Sequence, residues 1–211
     1  MNIETGTVRN GRKLAQVLEG AREVFLRDGF EGASVDDIAK CACVSKATLY
    51  SYFNDKRLLF IEVAKAECCR QEASTDEMIA LHAPPEKALR AAAEQMMRLI
   101  LSPFGKNVFR ICVAEADRFP ELGKEFWESG PARIRAKMIA YFQQAMDRGE
   151  LEIEDCDLAA DQFAELCKSD LFPKLMFGIQ DRFSDAEIAR VADGAVEMFM
   201  ARYGAKPKTS A

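Results

Sequence analysis

Apolar residues recur three and four positions apart along almost the whole chain, and no stretch sustains the strict alternation of a half-buried strand, so the pattern predicts helices. The first runs over about 9–28, with Leu14, Val17, Leu18, Ala21, Val24 and Phe25 on one stripe and Gly29 ending it. Ser34 is placed to cap a short helix through about Cys41, whose first turn carries Asp36 and Asp37 where the helix dipole favours acids. Ser45 caps another that ends near Tyr52, and Asn54 and Asp55 open a long helix beginning at Lys56. Pro84-Pro85 starts a new helix, Phe119-Pro120 closes one over about 106–118, and Gly130-Pro131 interrupts the stretch that Gly149 ends. Two amphipathic segments complete the chain, about 157–178 and 184–203. The second opens on a capping box, Ser184 with Glu187. The expectation is an all-α protein of about nine helices.

Charge modifies that picture. The chain carries 29 Lys/Arg against 34 Asp/Glu, a net of -5, which does not suit a polyanion partner. Residues 1–70 nevertheless hold 11 Lys/Arg and 10 Asp/Glu, so the acidity lies in the remainder. No run of about 18 apolar residues predicts a membrane span, and Met1 to Arg12 has no secretory h-region, so a cytoplasmic protein without membrane partners is expected. Seven cysteines without framework spacing read as reduced thiols. His82 is the only histidine, which leaves no His-based metal site or catalytic triad within one chain. No phosphate loop is present either, so neither an enzyme nor a cofactor or metal site is expected.

The segment from Gly32 to Phe53 is the informative one. Two short helices joined by a tight turn make a helix-turn-helix, with Val35, Ile38, Ala39, Val44, Leu49 and Phe53 as the apolar set between them. Helices this short are marginal alone and need the flanking helices to hold them. The outward face of the second can present Ser45, Lys46, Ala47, Thr48, Ser51 and Tyr52 to a major groove. Lys46 can donate to guanine, Thr48 can bond either base type, and Ala47 can touch a thymine methyl. Tyr50 and Tyr52 suit phosphate oxygens, and Ser34 stands at the neighbouring helix start. Lys56 opposes the dipole of the helix it opens, an arrangement that a bound phosphate would reverse. Domain boundaries are expected at 1–55 for DNA binding and 56–211 for effector binding and dimerisation.

Ser34, Ile38-Ala39, Ala42 to Ser45, Leu49-Tyr50-Ser51-Tyr52-Phe53 and Lys56 together resemble the signature of the TetR/AcrR family of transcriptional regulators. Cys43 stands where that family usually has glycine. Phe109 to Leu122, with Phe126 and Gly130-Pro131, is similar to the C-terminal domain of the AefR-like subgroup. The resemblance implies an Ω-shaped homodimer whose last two helices pair into a four-helix bundle, with an effector cavity in each C-terminal domain. It also implies a repressor of a pseudo-palindromic operator, released by a small hydrophobic or amphipathic ligand. On that reading Phe163, Leu166, Leu171, Phe172, Leu175, Ile188, Val191, Ala195, Val196 and Phe199 form the dimer seam, although they equally suit an intramolecular core. Met78, Met97, Phe104, Phe109, Cys112, Phe126, Trp127 and Tyr141 are candidates to line the effector pocket, and each could instead be core. Two alternatives stay open: a ligand-binding helical protein whose head no longer reads DNA, and a thiol-based redox sensor using Cys41, Cys43 or Cys68-Cys69.

Overall fold

The computed structural model describes residues 4–75, 83–117 and 119–206. The helices in chain order are α1 (Glu4–Gly32), α2 (Val35–Cys41), α3 (Lys46–Tyr52), α4 (Lys56–Thr75), α5 (Pro85–Ile100) and α6 (Pro103–Ala114). They are followed by α7 (Pro120–Ser129), α8 (Pro131–Asp147), α9 (Cys156–Lys168), α10 (Leu171–Met176) and α11 (Asp185–Tyr203). The only extended pairing among the described residues is an isolated bridge between Leu151 and Gly204. The all-α expectation holds, with eleven helical segments among the described residues where about nine were expected. No helix among the described residues is long and apolar enough to cross a membrane.

Two compact units divide the chain. The first takes Met1–Cys69 and Pro103–Trp127; the second takes Arg70–Ser102 and Glu128–Ala211. The core of the first is built from the stripe of α1 (Val17, Ala21, Val24, Phe25), from Ile38, Ala39 and Leu49, and from Leu59, Phe60, Ile61 and Val63 of α4. Val108 and Ile111 of α6 join it, so α4 and α6 share one core with the short helices. Phe60 sits edge-on to Phe25 at 4.9 Å and to Phe30 at 5.2 Å, an arrangement worth about 0.5–1.5 kcal/mol per pair beyond area burial.

Gly29 takes φ 71° inside α1, so the helix kinks where a stop was expected and resumes to Gly32. Gly20 has a different task. A methyl built there would lie 2.5 Å from the Ala42 backbone nitrogen, so α1 crosses the α2–α3 turn at a distance only glycine permits.

The second unit packs α5, α8, α9, α10 and α11 around Leu89, Met97, Phe142, Phe163 and Phe199, each 2 % exposed or less. The segment expected as one helix over 157–178 is two. Ser169 is extended, and Asp170 takes φ 64° and ψ -59°, which breaks the ladder between α9 and α10. Ser184 and Glu187 form the expected capping box of α11.

Candidate functional site

The site is assembled by two hydroxyl caps. Ser34 Oγ accepts from the Asp37 amide at 3.0 Å and donates to its carboxylate at 2.5 Å, which starts α2. Ser45 Oγ accepts from the Thr48 amide at 3.1 Å and pairs with Thr48 Oγ1 at 2.9 Å, which starts α3. Such caps contribute about 1 kcal/mol each, a large share for seven-residue helices. Between them Cys43 takes φ 52°, the left-handed conformation that glycine usually supplies.

Leu49 of α3 is buried, and this fixes which side of the helix is left to solvent. Lys46, Ala47, Tyr50 and Ser51 are exposed, Tyr50 at 52 %. Ser45 and Thr48 are committed to each other and to the cap, and Ser51 Oγ donates to the Thr48 carbonyl at 2.7 Å. Tyr52 is half-buried against the core. The nine residues assigned to DNA therefore divide into an outward face of four, the caps Ser34, Ser45 and Thr48, the packing residue Tyr52, and Lys56.

Lys56 is turned toward the protein. Its ammonium donates to the carbonyls of Phe30 at 2.8 Å and Ala33 at 3.0 Å and lies 4.4 Å from the centre of the Phe30 ring. These carbonyls close the end of α1, where the dipole favours a cation, so α1 offsets the unfavourable start of α4. Other cations are engaged as well. Lys46 pairs with Asp36, although both remain exposed. Arg57 reaches Asp55 at 2.6 Å and Glu115, the residue after α6, at 2.5 Å, tying the start of α4 to the end of α6. Arg22 meets Glu67 at 2.6 Å and Arg27 meets Asp28 at 2.6 Å. The pairing of Asp36 with Lys46, the close approach at Gly20 and the Arg57 fork were missed in the sequence. Only Gly20 left a signal there, as a glycine inside a helical stripe.

The candidate pocket residues are divided between the two units. Phe104, Phe109, Cys112, Phe126 and Trp127 belong to the first unit, where Phe104 packs on Phe60 and Trp127 is 54 % exposed. Met97 and Tyr141 lie in the core of the second, the Tyr141 hydroxyl donating to the Ala83 carbonyl at 2.9 Å. Met78 lies outside the described residues. Of the seam residues, Phe163, Leu171, Leu175, Ile188, Val191, Ala195, Val196 and Phe199 are buried within the second unit, and Leu166 and Phe172 are half-buried. The outer face of α9 and α11 bears a groove of about 410 Å³ lined by Leu166, Gly194, Met198 and Ala201, with Arg190 and Glu197 among its polar groups. Met198 is 61 % exposed on it.

Cys41, Cys112 and Cys167 favour their protonated forms. Cys41 Sγ donates to Glu23 at 3.2 Å, and this bond, with burial, raises its pKa. Burial alone pushes Cys112 up to about 11 and Cys167 up to about 12. Neither environment activates a thiolate. The side chains of Cys68 and Cys69 lie outside the described residues.

Two family models match the chain. The C-terminal domain of AefR-like transcriptional repressors covers residues 87–205, and the tetR family of bacterial regulatory proteins covers 17–63. A TetR-family transcriptional regulator from Mesorhizobium loti MAFF303099 is 32 % identical, superposes with a TM-score of 0.78, and is matched over 93 % of this chain and 98 % of its own. The flavonoid-responsive regulator FrrA is 31 % identical with a TM-score of 0.65, over 93 % of this chain and 100 % of its own. The HTH-type transcriptional regulator YezE of Bacillus subtilis is 26 % identical over 69 % of this chain and 76 % of its own length.

Proposed function

The chain belongs to the TetR family of DNA-binding transcriptional regulators, with the C-terminal domain of its AefR-like repressors, and from that premise we propose that it is a cytoplasmic homodimeric repressor of a pseudo-palindromic operator. The observation that carries the reading is the outward face of α3, where Lys46, Ala47, Tyr50 and Ser51 stand clear of a core held by Leu49 and two caps. Lys46 and Ala47 supply base-edge contacts, and Tyr50 and Ser51 supply hydroxyls for bases or phosphates. Ser34, Ser45, Thr48 and Tyr52 position the helix, and Lys56 anchors α4 to α1, leaving its remaining proton for a phosphate.

Two copies place two recognition helices on half-sites one helical turn, or a multiple of it, apart. The seam we propose is the outer face of α9 and α11 around Leu166, Gly194, Met198 and Ala201, with the buried seam candidates shaping it from within. An antiparallel crossing of two α11 helices at Gly194 sets Arg190 of each copy beside Glu197 of the other, a self-complementary exchange as two-fold symmetry requires.

The effector is a small hydrophobic or amphipathic molecule that binds the two states of the dimer with different affinity. Phe104, Phe109, Cys112, Phe126 and Trp127 are its contacts in the first unit, and the likeness to FrrA makes flavonoids the first class to try. Fluorescence anisotropy on duplexes selected from random sequence tests this reading. Wild type is expected to bind selected DNA tightly at two chains per duplex, and Tyr50→Phe to bind it several-fold more weakly. A flavonoid that releases the duplex should quench Trp127, the only tryptophan. Equal affinity for selected and scrambled duplexes would overturn the reading.

A further inference from the structure

The charge of the head leaves a question that α3 does not answer. A duplex carries one negative charge per about 1.7 Å of axis, and affinity for it comes largely from cations that displace its counterions. Yet between residues 14 and 67 every lysine and arginine is engaged by the protein itself. Arg22, Arg27, Lys46, Lys56 and Arg57 have the partners given above; Lys65 is held by Glu62 at 2.5 Å and Glu125 at 2.7 Å, and Lys40 lies 3.9 Å from Asp37.

Arg12 and Lys13 stand apart. Both are exposed, and among the described residues neither meets a carboxylate or a carbonyl. They ride on a part of α1 that leads into the core of the head, where Val17 is the first fully buried side chain among the described ones. The course of α1 places that part. Phe30 lies beside Lys56 at the start of α4, and Gly20 lies on Ala42 in the α2–α3 turn. Continuing the same direction from Gly20 to Arg12 is eight residues, about 12 Å. The helix therefore overhangs the end of the head from which α3 begins. In helix-turn-helix readers the N-terminal residues of the recognition helix enter the groove, so the sugar–phosphate backbone borders that end.

We propose that Arg12 and Lys13 form a phosphate-binding arm on α1, which grips the duplex backbone flanking the bases read by α3 and supplies much of the salt-dependent share of affinity. The proposal concerns the exposed side chains of a helix extension and rests on the DNA reading above. It also explains how a head so nearly neutral can hold a polyanion: among its described residues, the two cations that its own carboxylates and carbonyls do not engage lie together on one helix.

The test is a salt titration of the full-length protein on a selected operator and on a scrambled duplex, comparing wild type with Arg12→Ala/Lys13→Ala. Each lost phosphate contact lowers the slope of log K against log salt by about 0.9, so the four cations of a dimer should lower it by about 3.6. Affinity for both duplexes should fall by the same factor, leaving the preference between them unchanged. Arg12→Lys/Lys13→Arg should keep the wild-type slope. An unchanged slope in the alanine variant would overturn the arm, as would a charge-preserving variant that loses as much as the alanine one. If wild type shows no preference for selected DNA but the slope still falls, the arm stands and the base-reading account of α3 fails.

Discussion

At the residue scale the turn of the head carries its strain at one position. Cys43 sits at φ 52°, where a side chain with a Cβ costs about 1–2 kcal/mol, and the TetR resemblance had already marked this position as a departure from glycine. Replacing it with glycine removes that cost but gives the unfolded chain more freedom, so the two effects oppose each other. We expect Cys43→Gly to raise stability by about 0.5–1 kcal/mol, measured by urea unfolding, with operator affinity unchanged because the thiol is not on the reading face of α3. Lys56 shows how much of a side chain's setting lies beyond local sequence. Its unfavourable place at a helix start was legible in sequence, but the compensating carbonyls come from Phe30 and Ala33, more than twenty positions away. Distant contacts of that kind leave no local pattern.

At the scale of elements, caps and apolar stripes were readable and breaks of backbone geometry were not. Ser34, Ser45 and Ser184 begin their helices as their chemistry requires, because capping is a contact over three residues. The division of α9 from α10 was hidden, since Phe163, Cys167, Leu171 and Leu175 recur four residues apart across it. What divides them is Asp170, held in its left-handed conformation with Lys174 at 2.6 Å and Arg190 as partners. Glu187 at the start of α11 makes this scale testable. The Gln180 amide, then the Ser184 amide and hydroxyl, hold its pKa down to about 2, against an ordinary value of 4.5. A depressed carboxylate stabilises the fold fully above its unfolded pKa and loses that contribution as pH falls through its folded one. Unfolding followed between pH 5 and 2 should therefore show wild type losing stability that Glu187→Gln lacks throughout. Identical acid profiles would remove Glu187 from the account of α11.

At the scale of the whole molecule, fold class and family were legible because the helix-turn-helix compresses caps, core and reading face into about twenty residues. The proposed dimer seam and effector contacts were less so. A stripe such as Phe163, Val191, Val196 and Phe199 looks the same in sequence whether it faces the protomer's own core or a second copy, and the structure places these four inside. Beside Leu166 and Met198, the outer face is made of smaller and polar residues, Gly194, Ala201, Arg190 and Glu197, which no apolar pattern marks. The central claim, that α3 reads bases, is tested most directly by crossing a protein substitution with operator substitutions. Wild type and Lys46→Ala would be titrated against the selected operator and against duplexes changed symmetrically at one base pair per half-site. The account predicts that Lys46→Ala weakens operator binding by about 1–3 kcal/mol and abolishes discrimination at one base-pair position, leaving the others intact. A uniform loss at every position, scrambled DNA included, would contradict it by reducing Lys46 to a phosphate contact and α3 to a helix that does not read sequence at that residue.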